Sequence, residues 1–122
     1  MEKELAQLEE FHKKFNCTWH DTPTLVDDTT RELRARLMRE EVEEVVEAME
    51  EGDIEHIAKE ISDLLYAVYG TIGSYGLAEK MPAVFSEVHT SNISKDAGDR
   101  NDTKAVKGVG YREADVSSIL NN

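Results

Sequence analysis

Two pairs of carboxylates at helical spacing, Glu41 with Glu44 and Glu60 with Asp63, constrain this chain more than any other feature. They lie within residues 39–66, on either side of a Gly52-Asp53 turn. Residues three apart share a helix face. At about 100° per residue, Leu37, Val45, Ala48, Met38, Met49, Val42 and Val46 fill one apolar arc on the first segment. Glu41 falls inside that arc and Glu44 on its rim, while Glu43, Glu47 and Glu50 point away. On the second segment Leu64, Ile57, Val68, Ile61, Ile54, Leu65 and Ala58 form the arc, with Glu60 and Asp63 at its edge. A buried carboxylate without a partner is costly, so four acids on two facing helices call for cations. An antiparallel hairpin through Gly52-Asp53 turns both pairs toward one cavity. A solvated face with a few misregistered acids is the plain alternative; the doubled spacing weighs against it.

The rest of the chain is consistent with an all-α fold of four helices. Only 2 prolines interrupt 122 residues, aromatics are sparse and Glu is abundant, which favours helices over a sheet. That length suits one domain spanning residues 1–122. Leu5, Leu8, Phe11, His12 and Phe15 predict a first amphipathic helix over 3–16. Glu9 and His12 make a single Glu-x-x-His, which reads as a structural histidine rather than a ligand. Pro23 and its polar neighbours break the helix, and Asp27 or Asp28 caps the next, expected over 29–51. Arg31, Arg34, Arg36 and Arg39 crowd its first half, mostly solvated or paired, with one or two free for a phosphate. Trp19 is either a lid over the core or a plane on which a base stacks. A third helix is expected over 53–74, its end loosened or closely approached at Gly70, Gly73 and Gly76. A fourth is expected over 79–94 with Pro82 early in it, then a polar loop over 95–102 and a tail without helical period.

A net charge of −12 disfavours nucleic acid and anionic membrane as partners. The lone Cys17 fits a reducing compartment, and neither a signal peptide nor a membrane span is evident, so a cytoplasmic protein is expected.

The run Glu40-Glu41-Val42-Glu43-Glu44, followed after 15 residues by Glu60-Ile61-Ser62-Asp63, resembles the signature of the all-α nucleoside triphosphate pyrophosphohydrolases. That superfamily includes MazG-type enzymes, dimeric dUTPases, dCTP pyrophosphatases and phosphoribosyl-ATP pyrophosphohydrolases. Residues 11–15 with 21–25, 84–95 and 106–116 are similar to stretches of a phosphoribosyl-ATP pyrophosphohydrolase-like branch. Glu43-Glu44-Val45-Val46-Glu47 also spells the first half of the signature, but the apolar arc selects the Glu40 register.

The resemblance implies a four-helix bundle-like, MazG-type fold and a nucleotide substrate. It makes Glu41, Glu44, Glu60 and Asp63 ligands of Mg²⁺, with Mn²⁺ as a substitute, and puts Glu40 near the attacking water as base or water-orienting group. Asn92 and Lys95 match the segment that contacts phosphate or sugar, with Lys95 stabilising the leaving pyrophosphate. Lys107, Tyr111 and Arg112 match a phosphate-side loop, and Trp19 is a candidate for the base. The products implied are a nucleoside monophosphate and pyrophosphate. The substrate is dUTP or another pyrimidine or noncanonical nucleotide, or phosphoribosyl-ATP, and the assembly a homodimer or homotetramer. Two other classes stand beside this: a di-iron bundle, which wants two Glu-x-x-His motifs, and a noncatalytic acidic helical adaptor.

Overall fold

The computed structural model describes residues 1–97 and 105–122, and every regular element among them is a helix. These are α1 (Glu2–Lys14), α2 (Asp28–Glu51), α3 (Ile54–Ser74), α4 (Met81–Ile93) and α5 (Val116–Leu120). They fall into two compact units, Met1–Glu79 and Lys80–Asn122. The all-α expectation holds; the fifth helix is an addition to it.

The first unit is built around the α2–α3 hairpin. Asp27 starts α2 by accepting a hydrogen bond from Thr30 N at 2.8 Å. Gly52 ends it with φ 75°, a left-handed turn that only a residue without Cβ adopts cheaply. Asp53 then caps α3 through Glu55 N at 3.0 Å. One dipeptide thus stops one helix and starts the next. Arg34 bonds to Ala67 and Thr71 while a Glu44 oxygen lies within 4.8 Å of one from Glu60, so the two helices run antiparallel. α1 packs on α3 through a stripe of Leu5, Leu8 and His12.

Burial departs from the continuous apolar arcs in an instructive way. Val45 and Ala48 are buried on α2, whereas Val42, Val46 and Met49 of the same arc are exposed. On α3, Ile54, Ile61 and Leu65 are exposed as well. A helix arc can be wider than the strip one neighbour covers, and here α3 covers only one flank of α2.

The segment between α1 and α2 is tied back onto the end of α3. His20 N bonds to Gly73 O and Thr24 N to Tyr75 O, both at 2.9 Å. The Trp19 ring lies against Gly73, where a Cβ would overlap it, and meets His12 edge-on at 5.3 Å. Small residues at the end of α3 therefore serve close approach.

In the second unit α4 begins two residues later than expected, with Pro82 in its first turn. Asp96 and Val106 form an isolated antiparallel bridge. The centre of the expected polar loop, 98–102, lies outside the described residues. Asp115 caps α5 by accepting from Ser118 N at 3.2 Å. Five residues are too few to show a helical period, which is why the tail reads as irregular.

Candidate metal centre

The hairpin brings the two carboxylate pairs together. Glu41, Glu44, Glu60 and Asp63 each offer one oxygen, and these four atoms lie within 4.8 Å of one another. Glu60 is buried, Glu41 and Asp63 are half-buried and Glu44 is exposed. Glu41 Oε2 and Glu60 Oε2 are buried with no hydrogen-bond partner among the described residues. Leaving such an oxygen unsatisfied costs about 1–3 kcal/mol, more for a charged group. Crowding is also visible in the acid–base balance. Glu44's carboxyl is pushed above its ordinary range, first by its hydrogen bond with Glu60 and then by Glu41's charge.

The cations nearby belong to α3. Lys59 Nζ lies 2.7 Å from Asp63 Oδ2 and 3.5 Å from Glu60 Oε1. His56 Nε2 lies 3.2 Å from Glu60 Oε1 and its Nδ1 2.8 Å from Glu51 Oε2. These carboxylates, Glu51 foremost, raise the pKa of His56. Lys59 and Asp63 stand at i, i+4, a spacing readable in the sequence but overlooked among the acids. The cluster consists of carboxylates alone among the described residues. Hard oxygen donors suit a hard divalent cation, which would satisfy the two stranded oxygens; the histidine-rich di-iron alternative finds no support here.

The remaining expected site residues sit elsewhere. Glu40 is exposed, with Oε1 3.8 Å from Arg36 Nε. Trp19 is held against Gly73 and His12. Asn92 is exposed near the end of α4, and its carbonyl accepts from Lys95 N at 3.1 Å. Lys107 Nζ stands 5.1 Å from the centre of the Tyr111 ring. Arg112 forms a two-pronged bond with Glu87, at 2.8 and 3.4 Å, and so anchors the tail to α4.

Fold and site together define a class: all-α proteins carrying a four-carboxylate cluster on a helical hairpin, the arrangement expected from the resemblance to the nucleotide pyrophosphohydrolases. Residues 8–92 match the sequence model of the phosphoribosyl-ATP pyrophosphohydrolases, and the chain belongs to that family, within the all-α nucleoside triphosphate pyrophosphohydrolase superfamily. It is a pyrophosphohydrolase, a hydrolase acting on acid anhydrides. The family typically uses a divalent metal. The match takes in Glu40 and the four clustered carboxylates and ends at Asn92, short of Lys95, Lys107, Tyr111 and Arg112. No curated protein matches the chain. No helix among the described residues is long and apolar enough to cross a membrane.

Proposed function

We propose that the protein is a Mg²⁺-dependent nucleoside triphosphate pyrophosphohydrolase that hydrolyses the α–β anhydride, giving a nucleoside monophosphate and pyrophosphate. The observation that carries this is the stranding of Glu41 Oε2 and Glu60 Oε2 inside a four-carboxylate cluster. Glu41, Glu44, Glu60 and Asp63 would hold the cation, Mg²⁺ or Mn²⁺. When bound, it supplies Lewis acidity and charge neutralisation toward the phosphates. Glu40, exposed on the helix that bears Glu41, accepts the proton of the attacking water. Asn92 and Lys95 keep the roles that the resemblance gives them, contact with phosphate or sugar and stabilisation of the leaving pyrophosphate. Lys107, Tyr111, Arg112 and Trp19 remain substrate-side candidates on the same ground.

The substrate on this reading is dUTP or another pyrimidine or noncanonical nucleotide. The family match favours phosphoribosyl-ATP as the second reading. The exposed apolar residues Val42, Val46 and Met49 on α2 and Ile61 and Leu65 on α3 support a homodimer or homotetramer; the lone Cys17 suits a reducing, cytoplasmic compartment.

The test is a panel of nucleoside triphosphates and phosphoribosyl-ATP incubated with protein and Mg²⁺, with pyrophosphate and orthophosphate measured separately. Pyrophosphate release that EDTA and Glu41→Gln both abolish is expected. Orthophosphate as the first product, or turnover indifferent to EDTA, would overturn it.

A further inference from the structure

A second group of buried polar atoms borders the carboxylates. Arg34 lies three residues before Leu37 and seven before Glu41, on the face that α2 turns to α3. It is only 7% exposed, yet its bonds go to neutral acceptors: Nε to Thr71 Oγ1 at 3.1 Å and Nη2 to Ala67 O at 2.9 Å. Among the described residues Arg34 makes no ion pair and Nη1 no hydrogen bond, and Nη1 is not one of the fully buried unpaired atoms, so it is not sealed from solvent. A guanidinium held this deep with a donor to spare suits a strong acceptor.

His12, 2% exposed, comes in from α1. Its Nδ1 lies 2.9 Å from Thr18 O, an oxygen that can only accept, so the ring proton sits on Nδ1. Burial lowers the pKa of His12 and keeps the ring neutral, which leaves Nε2 as a bare acceptor. Nε2 and Arg34 Nη2 converge on Gly70, where a Cβ would come within 2.8 and 2.5 Å of them. Both residues line a cavity of about 310 Å³ whose wall also includes Glu41 and Asp63. The rest of the lining is apolar or aromatic, with Leu8, Leu37 and the rings of Phe11 and Tyr66 set edge to face at 5.3 Å. An apolar cleft of this size with two converging polar groups has the character of a small-ligand site.

We propose that this cavity is the nucleobase subsite, in which Arg34 donates to an exocyclic carbonyl oxygen and His12 Nε2 accepts from the adjacent ring N–H. The apolar walls take the faces of the base, and Glu41 and Asp63 in the same wall put its phosphates next to the carboxylate cluster. The pairing selects bases that present a carbonyl beside a ring N–H: uracil, thymine, hypoxanthine or guanine. Cytosine and adenine reverse that order, setting an amino group against the guanidinium and a lone pair against the imidazole. Two buried polar groups are then left unpaired. The inference rests on the pyrophosphohydrolase reading for the chemistry at the carboxylates, but base selection can be measured without turnover.

The experiment is calorimetric binding of dUMP, dIMP, dCMP and dAMP, in Mg²⁺, to the wild-type protein and to Arg34→Gln and His12→Asn. Asparagine keeps a donor toward Thr18 O and removes the Nε2 acceptor, so it tests recognition with the least disturbance of the fold; circular dichroism checks both variants. The wild type is expected to bind dUMP and dIMP at least about tenfold tighter than dCMP and dAMP. Each folded variant is expected to lose most of that ratio. Equal binding of the four nucleotides, or a ratio that survives in folded His12→Asn, overturns the proposal. Selective binding without pyrophosphate release from dUTP or dITP would sink the proposed triphosphate substrates and leave the subsite standing. Release without base preference would do the reverse.

Discussion

The two carboxylate pairs have the same sequence spacing and opposite surroundings. On α3, Glu60 and Asp63 already have cations within 2.7–3.5 Å, from His56 and Lys59 of their own helix. On α2, Glu41 and Glu44 have none among the described residues, and Glu44 answers by holding its proton more tightly. The α2 pair therefore carries the uncompensated half of the cluster's charge. Spacing alone brings acids together; which of them needs an external cation is decided by what each helix places one turn away.

Substitutions at the two pairs test that contrast with the largest effect. Glu41→Gln and Glu60→Gln are both expected to abolish pyrophosphate release, because each removes an oxygen of the same cluster. They are expected to part on stability: without metal, Glu41→Gln raises the melting temperature by relieving repulsion. Glu60→Gln does not, since it also strips His56 and Lys59 of a partner. Equal shifts in melting temperature would show the asymmetry to be unimportant.

Divalent metal sharpens the comparison next. Mg²⁺ at 100 times its dissociation constant is expected to stabilise the fold by about 2.7 kcal/mol. Glu41→Gln is expected to remove most of this gain, read by thermal melts with and without EDTA.

The pH dependence follows in size. Glu44's folded pKa lies above its ordinary 4.5, so the folded chain holds the extra proton. Stability of the metal-free protein then falls as pH rises from 4.5 through that raised value. His56's folded pKa lies above its ordinary 6.5, so its contribution is complete below 6.5 and is lost as pH rises through the raised value. His12, buried and neutral, acts in the opposite sense below 6.5, so the assignments are read as differences between variants. The melting-temperature advantage of the metal-free wild type over His56→Ala is expected to shrink as pH rises through the raised value, and that over Glu44→Gln to fall as pH rises above 4.5. Differences that grow with pH contradict the two assignments.

Lys59→Ala gives the smallest effect. Its ammonium is largely exposed, and exposed pairs contribute little, so the melting temperature is expected to stay nearly constant. A large drop would mean that Lys59 holds the α3 pair in place rather than merely lying beside it.

Much of the hairpin was legible because its rules act within one helical turn. Asp27, Gly52 and Asp53 mark ends through their own backbone neighbours, and the three-residue spacing puts Glu41 with Glu44 and Glu60 with Asp63 wherever the helices go. The convergence of the two pairs was legible for the same reason, since a two-residue connection leaves the helices little choice but to fold back. Other features depend on partners distant in the chain. Four arginines open α2, and nothing local separates Arg34 from Arg31, Arg36 and Arg39 except its place on the seam with Leu37 and Glu41. The acceptors that bury it, Ala67 O and Thr71 Oγ1, come from another helix.

By itself the sequence determined an all-α chain, the helical hairpin and the four acids at its centre, because periodicity and capping are local properties of the backbone. Only the tertiary structure decided that Val45 is buried and Val42 exposed, that Trp19 packs on Gly73, and that His12 and Arg34 line a cavity beside the acids. Burial is a property of neighbours, and these neighbours are brought together by chain reversals that no single helix encodes.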